Sequence, residues 1–197
     1  PFVDAEAADR IVGSAAFRAA GDAAQRASIT VLQSSPALPF GRGVKLYVEG
    51  IQPAVAAAYG EVVATPEEAD IAVLRLEAPY EERGSMFENF FHAGSLAFPE
   101  ETIAHVREVA AAAPTVVDVF LDRPAILTPF AEAGIALTAN WGASPAALLD
   151  VLSGAARAAG ALPFDVPRSM AAVEASRPDV PFDTADPLFR FGHRVEI

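Results

Sequence analysis

Short apolar runs alternate with amphipathic stretches along the middle of the chain. The runs that predict strands are Ser28–Leu32, Val44–Val48, Glu61–Val63, Ile71–Leu76, Thr115–Leu121 and Gly134–Ala139. Strands that are apolar on both faces and separated by helices indicate βαβ crossovers and a mostly parallel sheet. We therefore predict an α/β fold, a three-layer α/β/α sandwich with a mostly parallel sheet of five or six strands.

The segments around these strands carry helix signals. Asp4–Ser28 is rich in alanine and repeats its apolar residues near helical spacing, with Gly13 and Gly21 as interruptions. Thr65 and Pro66 resemble an N-cap and a first helical residue. The predicted helices are Asp4–Ser28, Gln52–Tyr59, a start at Thr65–Glu68, Pro99–Ala113, Pro124–Glu132 and Ser144–Leu152.

The last part of the chain has a different pattern. Its prolines are Pro163, Pro167, Pro178, Pro181 and Pro187, and this spacing predicts neither a helix nor a central strand. The segment is nevertheless too apolar for a disordered tail. We expect an extended strap whose Phe189 and Phe191, separated by Arg190, share one face and reach a common apolar groove.

The predicted organisation is one structural domain. Residues 1–43 form an arm, a helix and the first strand, residues 44–160 the sandwich core, and residues 161–197 the strap. The length of 197 residues suits one domain of this kind.

Composition excludes several function classes. The formal net charge of −12, without clusters of basic residues, argues against nucleic acid and anionic membranes as partners. The chain has no cysteine, which excludes disulfides and thiolate catalysis, and no apolar run is long enough to span a membrane. The three histidines are far apart in sequence and no phosphate-binding loop is present, so we expect neither a metal nor a cofactor. His105 is expected to pair with Glu101 one helical turn away.

A site is expected where the strands end, because ligands of open α/β sheets bind at the carboxyl ends of the strands. Glu77 opens the longest connection, which runs to Phe98 and which we call the long loop. Carboxylates mixed with aromatic rings suit sugars, which offer apolar faces for stacking and hydroxyls for hydrogen bonding. The candidates on this loop are Glu77, Tyr80, Glu81, Glu82, Arg83, Glu88 and His92. The alternative, favoured for any single residue, is that the phenylalanines pin the loop to the sheet and Glu81 and Arg83 form a solvated pair.

Two further candidates follow other strands. Arg123 either holds a substrate hydroxyl or carboxylate or pairs with the adjacent Asp122. Trp141, the only tryptophan, is either a stacking platform or a core residue, with the core slightly favoured.

Five segments, in order, resemble the C-terminal α/β sandwich domain of glycoside hydrolase family 3, the family of β-glucosidases and related exo-glycosidases. The segments are "AAQRASITVLQSSPALPF" from Ala23, "ADIAVLRLEAPYEE" from Ala69, "PTVVDVFLDRPAIL" from Pro114, "LLDVLSGAARAAGALPFDVPRSMAAV" from Leu148 and "PLFRFGH" from Pro187. Together they span nearly the whole chain.

The resemblance implies a partner and a substrate. In that family a (β/α)8 barrel precedes this domain in the same polypeptide and supplies the nucleophilic aspartate of a retaining hydrolysis. The substrate is a carbohydrate bound between the two domains. By this reading Pro1–Arg10 is the arm that leaves the barrel, and the 197-residue chain alone is expected to be inactive. A homodimer is left open, as is the location, cytoplasmic or secreted and periplasmic.

The chain departs from the family pattern where the acid/base glutamate is expected. In many members this residue follows the strand that corresponds to Ile135–Asn140, but here the first carboxylate after that strand is Asp150, which is expected to face away. A second departure is Arg194, which stands where a glycine usually follows the final Gly-His.

The acid/base was therefore either moved to the long loop or lost. Among the loop candidates we place Glu88 first, since burial among Phe87, Phe90 and Phe91 would favour its protonated form, and Glu82 second, since Arg83 would favour its ionised form. The favoured alternative is that Glu88 only pairs with Arg83 across the loop. If the acid was lost, the domain is a structural or carbohydrate-binding module that packs against the barrel or mediates oligomerisation. A free-standing flavodoxin-like domain is disfavoured, because the chain has neither a phosphate loop nor an acidic cluster at the first strand end.

Overall fold

The computed structural model describes residues 2–177 and 179–197, so Pro1 of the expected arm and Pro178 of the proline spacing lie outside the described residues. A six-stranded sheet has the strand order β1-β6-β5-β4-β2-β3. Its strands are β1 Thr30–Gln33, β2 Lys45–Glu49, β3 Glu61–Val62, β4 Ile71–Glu77, β5 Thr115–Phe120 and β6 Ala136–Asn140. Within this sheet the edge strand β1 pairs antiparallel with β6, and the other described pairs are parallel. The predicted α/β sandwich is confirmed.

Helices and irregular segments connect these strands. The α-helices of the described residues are α1 Ala5–Ile11, α2 Ala15–Ser28, α3 Pro53–Ala56, α4 Met86–Asn89, α5 Glu100–Ala112, α6 Thr128–Ala131, α7 Pro145–Leu152 and α8 Met170–Ala175. The helix start predicted at Thr65 is a single 3₁₀ turn, Pro66–Glu68.

Two apolar cores cover the two faces of the sheet, because successive strand residues point to opposite sides. On one face Leu74 and Val117 pack against α5, α6 and the C-terminal tail. On the other face Val73 and Val116 pack against α3 and α7. The result is the three-layer arrangement expected from the sequence.

The N-terminal region differs from its prediction as one helix. Gly13 adopts a left-handed backbone (φ +65°) between α1 and α2, and Asp4 and Ser14 each cap the helix that follows them. Within the described residues, no side chain of α1 or α2 is fully buried. Arg26 of α2 forms an ion pair with Asp150 of α7 at 3.2 Å, which ties the end of α2 to the sandwich.

The helix predicted from Pro124 begins only at Thr128. Ile126 N–H donates to the Leu96 carbonyl at 2.8 Å, and Ala97 and Ile126 form a parallel bridge. Tertiary pairing with the end of the long loop therefore takes the backbone groups that a helix would have used.

The C-terminal tail crosses the α5 and α6 face and buries Leu162 and Val166 in its core. The expectation that the tail has no helix is wrong: α8 fits between Pro167 and Ser176, and Ser169 caps it by accepting a hydrogen bond from Ala172 N–H at 3.1 Å. Two short strands, β7 Val166–Pro167 and β8 Pro187–Phe189, pair antiparallel.

Phe189 and Phe191 do not share a groove, as the alternation had suggested. Phe189 packs against the core and stacks on His193, with 4.6 Å between the ring centroids. Phe191 is exposed and contacts Phe182. The short strand ends at Phe189, so Phe191 no longer follows the strand alternation.

Candidate functional site

A buried polar row crosses the sheet near the carboxyl ends of its strands. Arg75, Asp118 and Thr138 lie directly opposite one another on β4, β5 and β6. The Asp118 carboxylate accepts from Arg75 Nε at 3.1 Å, Thr138 Oγ1 at 2.8 Å and Asn140 Nδ2 at 2.8 Å. Complete burial raises the pKa of Asp118 to about 6, although these three donors and the Arg75 charge oppose the shift.

Sequence reasoning missed this row. Its only signal was a carboxylate and a guanidinium inside apolar strands, where unpaired charges are costly. Arg75 Nη2 also donates to the Ala143 carbonyl, and Gly142 N–H donates to Asn140 Oδ1 at 3.0 Å. A shallow cavity of about 290 Å³ opens above the row beside Glu77. The polar atoms of Asp118 and Asn140 are paired within the protein. We therefore assign this row a structural role, which is to hold the carboxyl ends of the strands in place.

The base of the long loop is fastened to itself. Glu81 N–H donates to the Ala93 carbonyl at 2.9 Å, and the Glu81 carboxylate accepts from Ser95 N–H at 3.0 Å. Gly94 has φ +91°, and a Cβ there would lie 2.4 Å from Glu81 Cδ, so only glycine allows the side chain this position. Glu81 therefore holds the loop and does not form the expected solvated pair.

Two residues at the end of β5 hold the other side of the loop. Arg123 donates from Nη1 to the His92 carbonyl at 2.6 Å and from Nη2 to the Gly94 carbonyl at 2.7 Å. His92 Nδ1 lies 2.5 Å from Asp122 Oδ2, and its ring stacks on Tyr80 with centroids 4.1 Å apart. The alternative that Arg123 pairs with Asp122 is wrong, because Arg123 pairs with backbone carbonyls and Asp122 pairs with His92.

The tip of the loop is a small protruding helix. Ser85 caps α4: its Oγ accepts from Glu88 N–H at 3.2 Å and donates to Glu88 Oε2 at 2.9 Å. The phenylalanines contact one another edge to face but stay exposed, Phe87 by 75% and Phe90 by 80%. They do not pin the loop to the sheet, and Glu88 is exposed and lacks the expected burial.

Glu82 and Arg83 lie just beyond the fastened base and are both exposed. Arg83 N–H donates to Asn89 Oδ1 at 2.5 Å. Within residues 2–177 and 179–197, no salt bridge joins the Arg83 guanidinium to Glu81, Glu82 or Glu88. The two ion pairs offered as alternatives to a functional role, Glu81–Arg83 and Glu88–Arg83, therefore do not form among the described residues.

The other candidates lie outside this loop. Trp141 is half-buried, donates from Nε1 to the Ser28 carbonyl at 3.1 Å and packs edge-on against Phe164, which is the position of a core residue. His105 pairs with Glu49 of β2, with 2.9 Å from Nε2 to each carboxylate oxygen, and the expected pairing with Glu101 is wrong.

Asp150 is held away from the carboxyl edge of the sheet. It accepts from Tyr59 at 2.8 Å in addition to its ion pair with Arg26. Burial, followed by this hydrogen bond, raises the pKa of Tyr59 to about 12. Asp150 of α7 is therefore bonded both to α2 and to the turn that follows α3.

Comparisons with known proteins agree on one family. The model of the glycosyl hydrolase family 3 C-terminal domain matches residues 9–197. Beta-glucosidase C of Emericella nidulans is 46% identical over an alignment of 201 residues, which covers 100% of this chain and 32% of that protein. The periplasmic beta-glucosidase/beta-xylosidase of Dickeya chrysanthemi is 39% identical over an alignment of 198 residues, which covers 98% of this chain and 30% of that protein. The chain thus spans about a third of the length of these curated relatives.

Solved structures share the fold. The beta-glucosidase of Listeria innocua in complex with isofagomine superposes with a TM-score of 0.72 at 19% identity, over 94% of this chain and 34% of that one. No helix among the described residues is both long and apolar enough to cross a membrane.

Proposed function

Because the chain belongs to the glycosyl hydrolase family 3 C-terminal domains, we propose that it completes the sugar site of a β-glucosidase-like retaining hydrolase. The observation that carries this proposal is its 46% identity, over its full length, to a beta-glucosidase three times as long. The remainder of the polypeptide would be the (β/α)8 barrel that the sequence resemblance implies. The substrates would be glycosides with a terminal β-linked sugar. The name of the Dickeya relative supports an enzyme located outside the cytoplasm.

Glu82 is the residue that we propose as the general acid/base. Glu81 is engaged with Ser95 N–H, and Glu88 is engaged with Ser85 on the protruding helix. The Glu82 carboxylate has no hydrogen-bond partner in the described part of the chain, and it directly follows the fastened base of the loop. The Glu82 carboxylate is thus available to a substrate, and its backbone is held by the fastened base of the loop. Glu88 remains the second candidate.

The proposed chemistry divides two carboxyl groups between the two domains. A barrel aspartate would attack the anomeric carbon while the Glu82 carboxylic acid protonates the departing glycosidic oxygen. The Glu82 carboxylate would then take a proton from the water that hydrolyses the glycosyl-enzyme. A retaining mechanism requires the two groups to lie about 5 to 5.5 Å apart. The loop must therefore reach over the barrel.

The remaining candidates divide by what they already contact. Glu77, Tyr80 and Arg83 keep polar groups available at the carboxyl edge, and we propose that they line the sugar site. The exposed apolar tip, formed by Met86, Phe87, Phe90 and Phe91, is a contiguous patch of the kind that marks a binding surface. We propose that the barrel and the bound sugar cover this patch.

The test uses the full-length enzyme with Glu82→Ala and, as the matched variant, Glu88→Ala. Loss of the acid should depress hydrolysis of a phenyl β-glucoside by about 10²–10⁴-fold, because a poor leaving group needs a proton. Hydrolysis of a dinitrophenyl β-glucoside should change little in its first step, and azide should restore turnover and yield a glycosyl azide. If Glu88→Ala shows this pattern and Glu82→Ala does not, the assignment passes to Glu88.

A second candidate function is a structural or carbohydrate-binding module without an acid. The observation that favours it is the exposure of both Glu82 and Glu88 in the described structure. This reading predicts that neither substitution changes the dependence of the rate on the leaving group.

A further inference from the structure

The attachments at the base of the long loop converge on the segment that precedes Glu82. We propose that Asp122, Arg123 and His92 form a clasp that positions the Glu82 carboxyl for proton transfer, and that they are positioning residues, not substrate ligands. This inference rests on the proposed function, since positioning matters only if Glu82 transfers a proton.

The first half of the clasp is the Arg123 guanidinium. Its two terminal nitrogens donate to the carbonyl oxygens of His92 and Gly94, at 2.6 and 2.7 Å. A planar guanidinium holds two acceptors at a fixed separation, which an ammonium group does not do. The C-terminal side of the long loop, at residues 92–94, is therefore fixed in both position and orientation relative to the end of β5.

The second half is the His92 ring. Its Nδ1 lies 2.5 Å from the Asp122 carboxylate. The face of the imidazole stacks on the Tyr80 ring, and the two planes are parallel to within 5°. A carboxylate accepts hydrogen bonds only, so Nδ1 carries the proton that it donates to Asp122. His92 itself has φ +39°, a strained backbone for a residue with a side chain. The surrounding contacts must maintain it.

Tyr80 transmits these contacts to the acid. It lies two residues before Glu82, and between them Glu81 is bonded to Ala93 and Ser95. The N-terminal side of the long loop is thus fastened at residues 80 and 81. Glu82 is the first residue beyond the fastened part. A shift of about 1 Å at such a position is enough to cost about 10²-fold in rate.

The same contacts argue against direct substrate binding by the clasp. Two terminal N–H groups of Arg123 and the Nδ1–H group of His92 are already donated within the domain. A sugar hydroxyl could bind at these three N–H groups only by displacing a charge-assisted or a short hydrogen bond, which leaves to a substrate only the other N–H groups of Arg123 and Nε2 of His92.

The experiment measures kcat and KM of the full-length enzyme on aryl β-glucosides of graded leaving-group pKa. The variants are Arg123→Ala, Arg123→Lys, Asp122→Ala and Asp122→Asn. The controls are His105→Phe, which removes the imidazole–carboxylate pair with Glu49, and Arg107→Ala on the exposed side of α5.

Loss of the clasp should lower kcat/KM about 10- to 100-fold for poor leaving groups and less than about threefold for dinitrophenyl, which steepens the leaving-group dependence. Asp122→Asn should stay close to the wild type, because its amide oxygen still accepts the Nδ1 proton. Arg123→Lys should fall between wild type and Arg123→Ala. The control variants should keep the wild-type slope.

Each other outcome overturns the inference. A lower melting temperature with an unchanged slope per folded enzyme would leave the clasp a purely structural role. A rise in KM that is equal for all substrates, with kcat unchanged, would make Arg123 a substrate ligand. An inactive wild-type enzyme would remove the proposed function itself, and the catalytic role of the clasp with it.

Discussion

At the residue scale, the strand ends were predictable and the groups inside the strands were not. Glu77 and Asn140 were placed at the carboxyl edge by the alternation of strands and helices, and both border the cavity there. The Arg75–Asp118 pair depends on the register between β4 and β5, which one strand alone does not encode. Likewise, nothing in the sequence indicated that Arg123 would donate to two carbonyls some thirty residues away.

Asp118 should make the stability of the domain depend on pH. Its pKa rises from 3.8 unfolded to about 6 folded, so the folded state holds the proton more tightly. Its contribution is fully present below pH 4 and is lost as the pH rises through 6. Relative to Asp118→Asn, the wild type should lose about 2 kcal/mol of unfolding free energy between pH 4 and 7. Denaturant titrations of both proteins measure their unfolding free energies. If the wild type gains stability relative to Asp118→Asn as the pH rises, the burial argument is contradicted.

Gly94→Ala should destabilise the domain more than Gly134→Ala does. Both glycines have a left-handed backbone, φ +91° and +73°, but a Cβ at Gly134 meets nothing within 4 Å. The strain common to both is about 1–2 kcal/mol. At Gly94 the Cβ also displaces Glu81 from Ser95 N–H, which adds about 1 kcal/mol. Thermal unfolding of the two variants gives the comparison, and equal losses would mean that Glu81 does not fasten the loop.

At the element scale, predictions succeeded where periodic apolar residues were buried. All six strands of the main sheet, α5 and α7 lie where the pattern placed them, within a few residues. Predictions failed where tertiary contacts or capping decided the outcome. Gly13 divides the N-terminal helix, the bridge to Ala97 delays α6 to Thr128, and the Ser169 cap starts α8 within the proline-rich tail.

The tail should depend on Phe189 much more than on Phe191. Phe189 packs on the core and against His193, whose Nε2 lies 2.8 Å from the Leu32 carbonyl oxygen, whereas Phe191 is 54% exposed. A fully buried phenylalanine contributes about 3–5 kcal/mol, so half-burial suggests about 2 kcal/mol for Phe189→Ala. Phe191→Ala should cost less than about 1 kcal/mol. Chemical denaturation of the two variants measures both losses of unfolding free energy. A larger loss for Phe191→Ala than for Phe189→Ala would contradict the prediction.

At the scale of the whole molecule, the five motifs were sufficient for the family, and the family model confirms it over residues 9–197. The proton donor could not be settled in the same way. Its environment is completed, in the proposed enzyme, by residues outside this chain. The exposure of Glu82 and of the Phe87–Phe91 tip leaves both accessible to such a partner domain. Within this chain, Glu88 is likewise exposed and lacks the burial that the sequence argument assumed for it.

The measurement that tests the central claim most directly is turnover of a nitrophenyl β-glucoside by three proteins: the 197-residue chain, the full-length enzyme and full-length Glu82→Ala. A site divided between two domains predicts no turnover by the 197-residue chain, turnover by the full-length enzyme, and in full-length Glu82→Ala a loss that becomes sharp when the leaving group is phenyl. Turnover by the 197-residue chain itself, abolished by Glu82→Ala in that chain, would show a complete site within this domain and contradict the account.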